Sequence, residues 1–319
     1  MPTYLLVDAG QTGTRMRLAA SEGPHAEVDA DLAADGLPAG VDPQAHLTRV
    51  VTGALQQRRE VVDGVAVGLT GLHGAHGHPR DLLNQWSAFG PRHVVLADDS
   101  VTGYLAAVGL EPAVVVSVGT GVVALATSGR GGLARVDGWG HLLGDHGGGY
   151  WIGRAGLEYT LRTLDGRSTT PTALPDAVAE VFGDPSALPA TLQRHPDRVR
   201  LIADFARQVL ALTERQDPVA ERICLDAAQH LAVAAAAAAS RADCDSRRVT
   251  VSWSGSLLGA SPVLADTFGR ALRERDPRYV LRPPAGSSLD GVRQLIDLAP
   301  DHPLAALTSR AGAATEARS

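Results

Sequence analysis

The sequence predicts an α/β protein of two domains, the second repeating the architecture of the first. A strand, a short turn of glycine and threonine, and a second strand occur at residues 3–20 and again at 113–126, about 110 residues apart. Short, almost unbroken apolar runs alternate with longer stretches of helical periodicity, the pattern of strands covered on both faces. With 319 residues the chain is long enough to bury two cores.

Composition narrows the class. Hydrophobic residues make up 45% of the chain, which suits a folded protein and not a disordered one. All 29 cationic side chains are arginine, so a Schiff-base lysine and a P-loop lysine are both excluded. A net charge of −6 with no basic face argues against nucleic acid as a partner. Cys224 and Cys244 lie in alanine-rich helical sequence and are expected to be reduced thiols. The first residues run directly into a strand without a signal-peptide pattern, and no apolar run reads as long enough to span a membrane. The expected location is cytoplasmic, with no membrane partner.

Residues 3–7 form an apolar strand ending in Asp8-Ala9-Gly10-Gln11-Thr12-Gly13-Thr14-Arg15, and residues 16–20 resume the strand. Such a tip can wrap phosphate through backbone amides and threonine hydroxyls without a helix dipole. Asp8, at the strand end, is placed to hold magnesium through water. The alternative is an ordinary hairpin whose Asp and Thr satisfy their own backbone. A strand at 27–32, the loop Asp35-Gly36-Leu37-Pro38-Ala39-Gly40 and a helix at 43–57 follow.

Residues 64–69 read as a buried strand, with Thr70-Gly71-Leu72-His73-Gly74 at its carboxyl end, where open α/β sheets bind ligands. His73, His76 and His78 lack a carboxylate or thiol at ligand spacing, so solvated loop histidines are expected and not a metal site. A helix at 79–89 and a strand at 93–97 lead to Asp98-Asp99-Ser100 and a helix at 101–108. One aspartate there can cap the helix while the other takes a proton from an attacking hydroxyl. The most apolar strand, 113–118, runs into Gly119-Thr120-Gly121 and a strand at 122–126. Two hairpins of this kind suggest a nucleotide held between duplicated halves.

Residues 138–154 include seven glycines among 17 residues, together with Trp139, Tyr150 and Trp151. Backbone of that kind can fold around a small polar guest, with Asp145 as a carboxylate for hydroxyls; a Gly-rich turn that only opens the next helix is the plainer reading. Helices are expected at 150–164, 172–182, 199–216 and 219–242. A late strand at 248–253 ends in Ser254-Gly255-Ser256, small enough for a flat base to approach. A helix at 262–275, a strand at 278–282 and a short helix at 290–298 follow. Residues 300–307 return the chain to the first domain, and 308–319 read as frayed.

In order, these motifs span about 250 residues and resemble the actin-like ATPase superfamily, within it the BadF/BadG/BcrA/BcrD ATPase family and its N-acetylglucosamine kinase-like members. Gly-Trp-Gly-His-Leu-Leu-Gly-Asp followed by Tyr-Trp-Ile-Gly-Arg carries the specific part. The resemblance implies duplicated ribonuclease H-like domains, residues 1–108 with about 302–319 and residues 109–301, with the nucleotide cleft between them. It implies ATP and Mg2+ as cofactors, a sugar as substrate and a homodimer. Asp8, Gly10, Gln11, Thr12, Gly13 and Thr14 would line the first phosphate loop, and Gly119, Thr120 and Gly121 the second. Ser254, Gly255 and Ser256 would flank adenosine. Asp99 would be the catalytic base, with Asp98 as alternate. Thr70, Gly138, Trp139, Gly140, His141 and Asp145 would face the sugar.

Three substrate-side positions depart from the family pattern. The loop Gly36-Leu37-Pro38-Ala39-Gly40 lacks the family's sugar-contacting Asn, Val122 replaces a Ser or Asn, and His146 replaces a Glu. Two other outcomes of the same resemblance are an ATPase activator with a shared iron–sulfur cluster and a non-catalytic sugar sensor. Activators need cysteine ligands, for which two cysteines 20 residues apart in helical sequence are a poor fit.

Overall fold

The apolar runs become the strands of two separate sheets in the computed structural model, which describes residues 2–11, 13–20, 32–37, 41–58, 61–72 and 77–312. The chain divides into unit 1, Met1–Glu111 with Pro284–Ser319, and unit 2, Pro112–Pro283. Unit 1 opens with β1 (Thr3–Ala9), β2 (Thr14–Ala20) and β3 (Leu32–Ala34), then α1 (Pro43–Arg58), β4 (Gly64–Leu69), α2 (Pro79–Gln85), β5 (His93–Asp98) and α3 (Asp99–Val108). Unit 2 holds β6 (Val114–Val118), β7 (Val122–Thr127), β8 (Leu133–Asp137), α4 (Gly149–Leu164), α5 (Leu174–Phe182), α6 (Leu188–Arg194), α7 (Arg198–Glu214) and α8 (Pro218–Arg241). It continues with β9 (Val249–Ser254), α9 (Ser256–Ala260), α10 (Pro262–Arg275) and β10 (Tyr279–Leu281). The chain then returns to unit 1 as α11 (Ser288–Asp297) and β11 (Thr308–Gly312).

The strand order is β11-β5-β4-β1-β2-β3 in one sheet and β10-β9-β6-β7-β8 in the other. In unit 1, β1 pairs antiparallel with β2, β2 antiparallel with β3, and β1 and β5 each pair parallel with β4. Unit 2 repeats this: β6 with β7 and β7 with β8 are antiparallel, while β9 pairs parallel with β6 and β10. The same five-strand order with the same strand senses, twice, is the duplicated ribonuclease H-like arrangement of the actin-like ATPase fold.

All six residues of β4 are buried, which is why it reads as continuous apolar sequence and not as alternation. In unit 1, Leu47, Val51 and Leu55 of α1 pack with Leu5, Val7, Val67 and Trp86. In unit 2, Val114, Val116 and Val118 lie in one core with the alanines of α8, whose small side chains let the helix approach the sheet closely. Contrary to the expectation for apolar runs, α8 is long and apolar enough to cross a membrane, with a mean hydropathy of 1.3. Its residues Ile223, Ala227, Leu231, Ala235 and Ala238 are buried in the unit 2 core, so the apolar character serves packing.

Other boundaries differ in informative ways. The chain returns to unit 1 at Pro284, not near 302, so 284–301 belong with the first domain. Residues 308–312 are not frayed: β11 pairs antiparallel with the β5 edge, Thr308 opposite Ala97 and Gly312 opposite His93. The strand expected at 27–32 falls largely outside the described residues, and β3 begins at Leu32. Helix α3 starts at Asp99, two residues before the predicted start. Cys244 lies past the end of α8, and both cysteines are free.

Candidate active site

In unit 1, three neighbouring parallel strands end together. Asp8 of β1 lies opposite Gly68 of β4, and Leu69 of β4 lies opposite Asp98 of β5. The Thr70 amide donates to the Ala9 carbonyl at 3.0 Å, which carries the alignment one residue past the strand ends. Asp8, Thr70, Asp98 and Asp99 are therefore brought to one edge by sheet register alone.

The two aspartates divide their labour. Asp98 is the N-cap of α3; its Oδ1 accepts the Ser100 amide at 3.1 Å and the Ser100 hydroxyl at 2.5 Å. Asp99 occupies the first turn and is reachable by solvent. It nevertheless sits among enough protein for desolvation to raise its pKa to about 7, with the charges of Asp98 and Asp8 adding to the rise and a Thr70 hydrogen bond opposing it.

Asp8 is half-buried, and its pKa is raised by desolvation against the opposing effects of a Ser288 hydrogen bond and the Arg15 charge. Its Oδ2 accepts the Ser288 hydroxyl at 2.5 Å; its Oδ1 has no hydrogen-bond partner among the described residues. No group of three His, Cys, Asp or Glu gathers as a metal cage among the described residues. A lone hard oxygen suits magnesium, which keeps several of its waters.

The first hairpin is held from below. Its tip closes through the Gly10 amide on the Gly13 carbonyl at 3.0 Å, and the Gly10 carbonyl accepts the Leu37 amide at 2.9 Å. Gln11 is exposed; Thr12 lies outside the described residues. Thr14 departs from its expected phosphate-lining position: it is buried, and its hydroxyl donates to the Asp35 carbonyl at 3.0 Å. It ties the hairpin to the 35–37 loop. His73 and His76, like residues 38–40 of the loop before α1, lie outside the described residues. His78 is clipped to Gln44 of α1 through its own backbone, at 3.0 and 3.3 Å.

In unit 2, the second hairpin closes through the Gly119 amide on the Gly121 carbonyl at 3.0 Å. The carbonyls of Gly119 and Thr120 accept the amides of Gly149 and Tyr150, the first residues of α4, at 2.8 and 3.0 Å. The first turn of α4, whose amides have no intrahelical partners, thus clamps the hairpin. The Thr120 hydroxyl keeps no protein partner among the described residues.

Asp145, expected to face the sugar, has its carboxylate engaged by backbone amides. It adopts a left-handed φ of 61°, its carboxylate accepts the amides of Gly140 (3.3 Å) and Val122, and its own amide donates to Asp137 Oδ1 at 2.9 Å. A Cβ at Gly121 would run into that carboxylate. Burial and the Asp137 charge raise its pKa against those amides. Asp145 therefore braces the hairpin to the 138–145 loop. Around it, Gly138 and Gly140 are half-buried, Trp139 is 79% exposed, and the His141 ring leans on Tyr150 at 4.6 Å. His146 faces His230 of α8 at 5.1 Å.

Ser254 ends β9 opposite Ser117 of β6, and their hydroxyls pair at 2.7 Å. Gly255, at φ 87°, turns the chain close over the Val118 carbonyl, and Ser256 is exposed at the start of α9. The turn proposed for adenosine thus adjoins the strand that feeds the second hairpin. Cys224 is buried, and burial pushes its thiol up to about 11; Cys244 is pushed the same way. Sequence reasoning missed Ser288. The pattern Ser287-Ser288-Leu289-Asp290 is a capping-box signature that could have started α11 two residues earlier.

Known proteins similar to this chain share its family and its fold. An N-acetylmuramic acid/N-acetylglucosamine kinase of Clostridium acetobutylicum is 23% identical over 238 residues, 71% of this chain and 74% of that protein. A Chromobacterium violaceum protein provisionally named N-acetylglucosamine kinase superposes with a TM-score of 0.70 at 26% identity, covering 92% of this chain and 99% of that one. A Porphyromonas gingivalis protein of the same provisional name shares the fold, with a TM-score of 0.70 at 19% identity and coverages of 92% and 98%. The model of the BadF/BadG/BcrA/BcrD ATPase family matches residues 7–291, and this chain belongs to that family.

Proposed function

We propose that the protein is an ATP-dependent kinase that phosphorylates a hydroxyl, the one on carbon 6, of N-acetylglucosamine or a related amino sugar. The observation that carries this reading is the division between Asp98 and Asp99. One carboxylate caps the helix and also hydrogen-bonds its neighbour, and that neighbour stays accessible with a pKa near 7, where a general base works best at neutral pH. The names of the Clostridium and Chromobacterium relatives supply the substrate class.

In this mechanism Asp99 accepts the proton of the sugar hydroxyl as that oxygen attacks the γ-phosphorus, and ADP leaves. Thr70, bonded to Asp99, keeps the carboxylate aimed. Backbone amides of the Gly10–Gly13 tip and of the Gly119–Gly121 turn, with the Thr120 hydroxyl, receive phosphate oxygens, a role that no lysine in this chain can share. Bound magnesium neutralises phosphate charge, and Asp8 is the carboxylate that would face its waters. Ser254, Gly255 and Ser256 flank the adenosine. The enzyme works in the cytoplasm as a homodimer. The iron–sulfur activator reading is not favoured, because the Cys224 thiol is buried and pushed up to about 11.

The test is ADP release with ATP and Mg2+ over a panel of hexoses, amino sugars and N-acetylated sugars. Stimulation by an amino sugar, with phosphate found on carbon 6 by NMR, is the expected result. Release that no sugar stimulates would sink the proposal.

A further inference from the structure

Resting on the reading of Asp8 as the carboxylate facing a hydrated cation, we propose that Ser288 is its positioning residue, selecting which Asp8 oxygen meets the metal's water. The Ser288 hydroxyl donates to Asp8 Oδ2 at 2.5 Å across 280 residues of sequence. A serine has one proton to give. Spending it on Oδ2 leaves Oδ1 as the acceptor for a metal-bound water and holds the carboxylate against rotation.

Ser288 can do this because its own position is fixed from several sides. It is the first residue of α11, whose N-cap Ser287 donates both amide and hydroxyl to Asp290 Oδ2 at 2.7 Å each. The other Asp290 oxygen meets Arg17 of β2 at 3.6 Å, tying the helix start to the first hairpin. One residue on, Gly291 lies so close to α3 that a Cβ would collide with the Thr102 carbonyl. The Thr102 hydroxyl in turn donates to the Asp99 carbonyl at 3.1 Å. A continuous seam therefore runs from Asp8 through α11 to the turn that carries Asp99, and Ser288 is the link at which it touches a carboxylate.

The experiment measures Mn2+ binding to the full-length protein with ADP, by electron paramagnetic resonance of free Mn2+, in wild type, Ser288→Ala and Ser288→Thr. Loss of a residue that orients a metal-facing carboxylate typically weakens the metal by tenfold or more. Ser288→Ala is expected to weaken Mn2+ about tenfold, to leave metal-free ADP binding by calorimetry within about twofold, and to be rescued by Ser288→Thr, which keeps the hydroxyl. Wild-type Mn2+ affinity in Ser288→Ala overturns the role, as does an equal loss of metal-free ADP binding. If Ser288→Ala fails to fold by circular dichroism, Ser288→Cys, of similar size with a weak donor, is read in the same assay. A wild-type protein that binds Mn2+ and ADP but phosphorylates no sugar fails the kinase reading and leaves the Ser288 comparison standing.

Discussion

Asp98 and Asp99 are adjacent and chemically identical, yet the fold gives them different work. A carboxylate at an N-cap is tied to first-turn amides, and Asp98 is so tied through Ser100. Asp99 does not cap the helix, and the proposed mechanism assigns it the proton transfer. Because a positioned base contributes about 10²- to 10⁴-fold, Asp99→Asn is expected to lower kcat at least about 100-fold while nucleotide binding by calorimetry stays near wild type. Asp98→Asn keeps a competent cap and should retain activity within about tenfold; the reverse ranking would move the base to Asp98. The pH dependence follows from the sign of the Asp99 shift. The reactive form is the ionised one and its pKa is raised to about 7, so kcat/KM should be level above that pH and fall about tenfold per unit below it. A limb near pH 4 instead would mean an unperturbed carboxylate acts.

At the scale of elements, the second hairpin is stiffened from both sides. The first amides of α4 occupy its carbonyls, and Asp145 collects the amides of Val122 and Gly140. Removing the carboxylate leaves buried donors unpaired, at about 1–3 kcal/mol. Asp145→Ala should therefore lower the melting temperature and raise the KM for ATP, while the KM for the sugar changes less. A selective rise in the sugar KM would return Asp145 to the substrate side, where the motif alone would place it.

That contrast marks what sequence could and could not tell. Residue type and spacing pick out a carboxylate beside a Gly-rich turn, but which way it points depends on a left-handed backbone at Asp145 and on the nearness of Gly121. Thr14 is the same case, since its hydroxyl is claimed by a carbonyl 21 residues away. The start of α3 differs for a local reason: a cap residue reads equally well two steps later, at Ser100 of Asp98-Asp99-Ser100. The strand β11, reading Thr-Ser-Arg-Ala-Gly, has no alternation to betray it. It forms because the β5 edge accepts it, and Arg310 at its centre donates to the carbonyls of Leu295 and Leu298 at 2.9 and 2.8 Å, closing the end of α11.

For the molecule as a whole, the duplication was legible because both hairpins need the same chemistry, glycine and threonine at a strand-to-strand turn, and both sheets repeat one order. The crossing at Pro284 was not, since an amphipathic stretch such as α11 looks the same whichever core it joins; the contact of Gly291 with Thr102 decides it. The consequence is an asymmetry in how the units can fold. Unit 2 is one unbroken segment, Pro112–Pro283, with its own core, whereas unit 1 needs two segments far apart in sequence. Expressed alone, residues 112–283 should melt cooperatively by circular dichroism and show dispersed amide NMR signals. Residues 1–111 alone should not, because without α11 and β11 the small-residue face of α3 and the β5 edge are uncovered and Asp8 loses Ser288. Adding residues 284–319 as a separate peptide should restore a cooperative transition. A well-folded 1–111 fragment would mean that the returning segment is an accessory to unit 1 and not part of its core, and with it would go the structural basis for a seam joining Asp8 to Asp99.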